Sequence, residues 1–64
     1  MKTYTFTFPD LGRKFVIKQD DINEWYTVYE KKFLRRMIAI ESNVPLESIE
    51  DAIYHMKKYI WGKQ

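Results

Sequence analysis

An α+β fold of ββαα order is what the sequence predicts: an N-terminal β-hairpin packed against a C-terminal helical hairpin, in one domain spanning residues 1–64. Three observations carry that expectation. Residues 2–8 and 13–18 alternate between large apolar and polar side chains, the period of a half-buried strand. Residues 20–41 place Ile22, Trp25, Tyr26, Tyr29, Phe33, Met37 and Ile40 in one helical sector about 120° wide, the apolar stripe of a surface helix. Residues 45–61 repeat the helical pattern with Leu46, Ile49, Ala52, Ile53, Met56, Tyr59 and Ile60.

In the first strand Tyr4, Phe6 and Phe8 fall on one side and Thr3, Thr5 and Thr7 on the other. Pro9-Asp10-Leu11-Gly12 reads as a turn, because proline presets φ and glycine accepts the positive φ that closes such loops. The returning strand sets Phe15 and Ile17 against Lys14, Val16 and Lys18. A two-stranded sheet is marginal by itself, so this hairpin has to be held by the helices or by strands from a neighbour.

Gln19-Asp20-Asp21 ends the second strand, and either aspartate suits the N-cap of a long first helix, with Glu24 favoured by its dipole. On that helix Lys31 and Arg35 project away from the stripe, Lys32 lies on its flank, and Arg36 lays its stem along the core edge. Leu34 and Ile38 lie off the stripe and form either a second packing face or a contact surface. Ser42-Asn43-Val44-Pro45 breaks the helix, and Pro45 suits the first turn of the next. Glu47, Glu50 and Asp51 then occupy the first turns of the second helix, and Lys57, Lys58 and Lys63 its end, with Gly62 as the stop.

A chain of 64 residues buries only about 60% of the surface its unfolded form exposes, so its core lies near the lower limit for independent stability. Disulfides and thiolate metal sites are excluded by the absence of cysteine, and a histidine-rich metal site by the single histidine, His55. Four Phe, five Tyr and two Trp are more aromatic residues than so small a core easily hides, which points to self-association or to a partner. The formal charge of +2 is too small to mark a polyanion binder without regard to placement. MKTYTFTF lacks the apolar run of a signal peptide, and no stretch approaches the ~20 apolar residues that cross a bilayer, so a soluble, cytoplasmic protein with no membrane contact is expected.

No catalytic constellation, cofactor or metal is expected. His55 projects opposite the apolar stripe of the second helix and reads as a solvated surface histidine, with Ser48 seven positions away. Asp20-Asp21 and Glu50-Asp51 fall in first turns, where capping explains them better than acid-base chemistry. Two glycines make no phosphate loop.

Ala39, the turn at Asn43-Val44, and Ile49 and Ala52 stand at the spacing of a helix-turn-helix, and residues 38–53 resemble the centre of that motif. The resemblance implies that the helix from Pro45 reads base edges. Its first residues, Glu47, Glu50 and Asp51, would then meet phosphate with three negative charges, and Ser42 stands at a position that is apolar in the motif. The segment therefore reads as a general helix-helix corner. It also resembles ribbon-helix-helix repressors, departing from them in its own hairpin and its longer first helix.

The preferred expectation is a non-enzymatic interaction module that covers a surface on another protein or on a second copy of itself. Its anchors are Tyr54 and Trp61, its second patch Leu34 and Ile38, and its rim charges Lys58 and Arg35. Small inhibitors encoded by phages and mobile elements are an analogy of size and style. The alternative is a small nucleic-acid-binding regulator that uses Lys14, Lys18, Lys31, Lys32 and Arg35, with no aromatic residue placed among them to stack on bases.

Overall fold

A computed structural model of the chain describes residues 2–62 and shows four antiparallel strands followed by one helix. β1 (Thr3–Phe8), β2 (Arg13–Gln19), β3 (Tyr26–Lys31) and β4 (Met37–Ile40) form one sheet in chain order, and α1 (Ile49–Trp61) packs on one of its faces. The fold is α+β, as expected, but the ββαα order is not observed. Lys63, assigned from the sequence to the end of the second helix, lies outside the described residues.

The N-terminal hairpin forms in the expected register, with Phe6 opposite Phe15 and Tyr4 opposite Ile17. Gly12 closes its turn at φ 64°, with its N–H bonded to the Pro9 carbonyl at 3.1 Å. That left-handed value is one a glycine adopts without a Cβ clash.

The expected first helix is replaced by β3, a tight turn and β4. Tyr26 to Lys31 also alternates, and its aromatic and β-branched residues suit a pleated surface. The deciding difference is backbone hydrogen bonding. A helix laid on the hairpin leaves the outer N–H and C=O groups of β2 without partners, whereas β3 pairs with β2 along its length, from Lys14 opposite Lys31 to Gln19 opposite Tyr26. The need for more than two strands is met from within the chain. The helical stripe also mixes residues with unlike fates, since Ile40 is core while Ile22 is 91% and Phe33 84% exposed, and it leaves out Val28, which is fully buried.

Asp20 and Asp21 therefore cap no helix. Asp20 Oδ1 accepts from the Ile22 N–H at 3.1 Å and Asn23 Oδ1 from the Trp25 N–H at 2.9 Å, shaping the loop between β2 and β3. Leu34 and Arg35 lie in the β3–β4 turn, both at φ 65°, and Arg36 is exposed beside it rather than laid along the core. Ile38 lies on edge strand β4, so neither Leu34 nor Ile38 forms a second helical packing face.

α1 starts later than expected. Leu46 first pairs with Tyr26, whose N–H donates to the Leu46 carbonyl at 2.8 Å, and Ser48 then caps the helix by accepting from the Asp51 N–H at 3.1 Å. Pro45 and Glu47 thus precede the helix. Because Ala39 belongs to β4, there is no helix-helix corner, and the resemblances to helix-turn-helix and ribbon-helix-helix proteins do not hold in space.

The core lies between α1 and the sheet: Phe15, Ile17, Val28 and Ile40 from the strands, Leu46 from the connection, and Ala52 and Met56 from the helix. Edge-on aromatic contacts tie the helix's C-terminal end to the strands, with Phe8 and Trp61 centroids 5.6 Å apart and those of Phe15 and Tyr59 6.3 Å apart. Glu30 sits in this layer at 4% exposure, and Arg13 grips it with Nε to Oε2 at 2.8 Å and Nη2 to Oε1 at 2.9 Å. These donors hold the Glu30 carboxyl below the usual carboxylate range against burial, which pushes it up. With one helix on one side, the molecule is only 16 Å along its shortest axis, and among the described residues no second layer covers the other face of the sheet.

Candidate nucleic-acid interface

Strand alternation decides what the open face displays. Phe15, Ile17, Val28 and Glu30 point to the helix, so Thr3, Thr5, Thr7, Lys14, Val16, Lys18, Thr27, Tyr29, Lys31, Met37 and Ala39 point away. Among the described residues that face holds three lysines and no carboxylate. Lys14 lies directly opposite Lys31 on neighbouring strands, a like-charge juxtaposition that costs stability. Lys18 places its Nζ 5.4 Å from the Tyr29 ring centroid, and Val16, between Thr5 and Tyr29 in register, is shielded by these neighbours.

Charge is also divided along the strands. The end formed by the two hairpin turns and the C-terminus of α1 carries Arg13, Lys14, Lys31, Lys32, Arg35, Arg36, Lys57 and Lys58 against Asp10 and Glu30. The opposite end, where β2 turns into β3 and α1 begins, carries Asp20, Asp21, Glu24, Glu41, Glu47, Glu50 and Asp51 against Lys2 and Lys18. The near-neutral total conceals a strong polarity.

Of the basic residues singled out from sequence, Lys14, Lys18 and Lys31 come together on the open face, and Arg35 stands at its basic end in the turn. Lys32 is directed elsewhere, with Nζ 3.4 Å from Glu30 Oε1. Sequence reasoning missed Tyr29, which it placed in a helical core stripe. Strand alternation through Tyr-Thr-Val-Tyr-Glu-Lys was the signal that put Tyr29 with the lysines.

The residues expected to anchor a protein partner form two separate groups. Tyr54, Lys58 and Trp61 line one shallow groove on the outer side of α1, and Leu34, Arg35 and Ile38 lie at the β3–β4 turn and edge. Leu34, Ile38, Tyr54 and Trp61 each keep half or more of their surface exposed. Trp61 still covers Phe8 with one edge. His55 is not the solvated histidine expected from sequence: it is half-buried, and its Nε2 atom has no hydrogen-bond partner among the described residues.

Among the described residues no group of His, Cys, Asp and Glu is arranged to hold a metal, and no helix is long and apolar enough to cross a membrane. The fold and the site define a small α+β domain with one sheet face uncovered and basic. Comparison with protein-family models, with curated proteins and with solved structures found no match in any of the three.

Proposed function

We propose that the chain is a small, non-enzymatic nucleic-acid-binding protein of the cytoplasm, which lays the open face of its sheet against a phosphate backbone. Lys14, Lys18 and Lys31 supply the phosphate contacts, Arg35 extends them at the turn, and Tyr29 offers a ring among them. One observation carries this reading: Lys14 and Lys31 sit side by side across β2 and β3 on a face where no described residue carries a carboxylate. A pair that costs folding free energy and that no carboxylate among the described residues neutralises is suited to an external anion. Titrating labelled duplex and single-stranded oligonucleotides at several salt concentrations tests it, because each phosphate contact adds a fixed increment to the salt dependence.

A protein partner, the first expectation from sequence, keeps a specific support of its own. Tyr54 and Trp61 share an exposed groove with Lys57 and Lys58, the composition of an interface anchor with a charged rim. The small-inhibitor role belongs to this second reading. Its binding would be insensitive to Lys14 and Lys31, which separates it from the first.

A further inference from the structure

The β4 edge of the sheet offers backbone chemistry that can itself select a partner. The Lys32 N–H donates to the Arg36 carbonyl, so in the β3–β4 register Arg36, Ile38 and Ile40 turn their peptide groups toward β3. Met37 and Ala39 therefore turn theirs outward, where no described residue meets them. Proteins blunt such edges with lysine, proline or a bulge, and Met37-Ile38-Ala39-Ile40 has none of these.

We infer that two copies of this chain pair through their β4 strands, antiparallel, with Met37 of one opposite Ala39 of the other and Ile38 opposite Ile38 on a two-fold axis normal to the sheet. Only residues that point to the same face pair in such a continuation, and this register obeys that rule. Met37 and Ala39 exchange their free N–H and C=O groups, giving four hydrogen bonds. Ile38, half-exposed on the helix side, meets its own copy in a non-hydrogen-bonded pair, where side chains approach most closely.

Charge selects the same occupant. Antiparallel pairing sets the basic end of each copy beside the acidic end of the other and brings Arg35 into line with the second copy's Glu41. A parallel arrangement, or an unrelated strand of uniform charge, gains neither. Because the axis is normal to the sheet, the two open faces lie on the same side and join into one. The pairing stands on the edge and on the charge polarity, and does not require that this face bind nucleic acid.

The test uses the full chain without nucleic acid, so it is independent of the preceding reading. Sedimentation is expected to give twice the 7.9 kDa chain mass, with association weakened by salt. Ala39→Pro removes an N–H that faces outward, so the fold is retained and the chain is expected to sediment as one copy. The chain has no cysteine, so a single introduced thiol reports register directly. At a non-hydrogen-bonded pair the two Cα atoms stand ~4.5 Å apart, within disulfide range, and Ile38→Cys is expected to oxidise to a linked dimer while Met37→Cys does not. A wild-type chain that sediments as a single copy at every salt concentration overturns the inference. So does equal cross-linking of the two cysteine variants, which also decides the matter should Ala39→Pro fail to fold.

Discussion

Arg13 and Glu30 reach diagonally across β2 and β3 to form a two-pronged ion pair, at 2.8 and 2.9 Å, under the C-terminal part of α1. The guanidinium also lies 5.3 Å from the Phe15 ring centroid and 5.6 Å from that of Tyr59, so the pair is bounded by aromatic rings on the helix side of the sheet. Replacing Glu30 by Gln leaves Arg13 with half its partner, and is expected to cost about 1–3 kcal/mol by urea denaturation. Arg13 keeps roughly a third of its side chain in water, which places the cost toward the lower end.

The same pair sets a pH dependence. Arg13 chiefly lowers the Glu30 pKa from its ordinary value of 4.5, so the carboxylate's contribution is complete above that value and is lost as pH falls through the lowered one. Wild-type melting temperature is expected to fall as pH drops below 4.5, and Glu30→Gln to flatten that part of the profile. An unchanged profile in the variant contradicts the assignment.

Lys31→Glu separates stability from binding. It converts the Lys14–Lys31 repulsion into a cross-strand ion pair, with an expected gain of about 0.2–1 kcal/mol in thermal or urea unfolding. Oligonucleotide affinity is expected to fall at the same time. A gain in stability with affinity unchanged shows that the pair is merely tolerated.

The β3–β4 turn makes a similar prediction. Leu34 and Arg35 both hold φ 65°, a conformation that costs a side-chain-bearing residue about 1–2 kcal/mol. Leu34→Gly and Arg35→Gly are each expected to raise stability, measured by urea unfolding. Only Arg35→Gly is expected to weaken nucleic-acid binding, since only Arg35 carries a charge for phosphate.

On α1, Tyr54→Ala is expected to change stability by no more than about 0.5 kcal/mol, as is usual for an exposed position. Trp61→Ala loses its edge contact with Phe8 and is expected to cost about 0.5–1.5 kcal/mol while the chain still folds. Unfolding of Trp61→Ala in buffer would mark Trp61 as core and remove it from any partner surface.

The parts of the fold legible in the sequence were those where one period had no competitor. Tyr4-Thr5-Phe6-Thr7-Phe8 alternates without ambiguity, and Ile49, Ala52, Ile53, Met56 and Ile60 recur only at helical spacing, so the hairpin and α1 were found. Residues 20–41 carry both periods at once. Trp25, Tyr26, Tyr29 and Phe33 fit a helical stripe, while Tyr26, Val28 and Glu30 fit a strand whose third inward position is charged. That charge obscured the strand, because Glu30 reads as surface until Arg13 is known to reach it. The basic residues were legible as candidates, but their grouping was not: Lys31 joins Lys14 only once β3 pairs with β2. Ser48-Ile49-Glu50-Asp51 offered a capping signal for α1 that Pro45, an equally good first-turn residue, concealed.

The salt dependence of oligonucleotide binding tests the open-face reading most directly. With Lys14, Lys18, Lys31 and Arg35 on phosphates, the logarithm of duplex affinity should fall with the logarithm of salt at a slope of about −3.6 per chain. Changing Lys14 and Lys31 to Gln together should make that slope shallower by about 1.8. Binding that is absent at low salt, or a slope that the double variant leaves unchanged, would contradict the role given to the sheet's uncovered face.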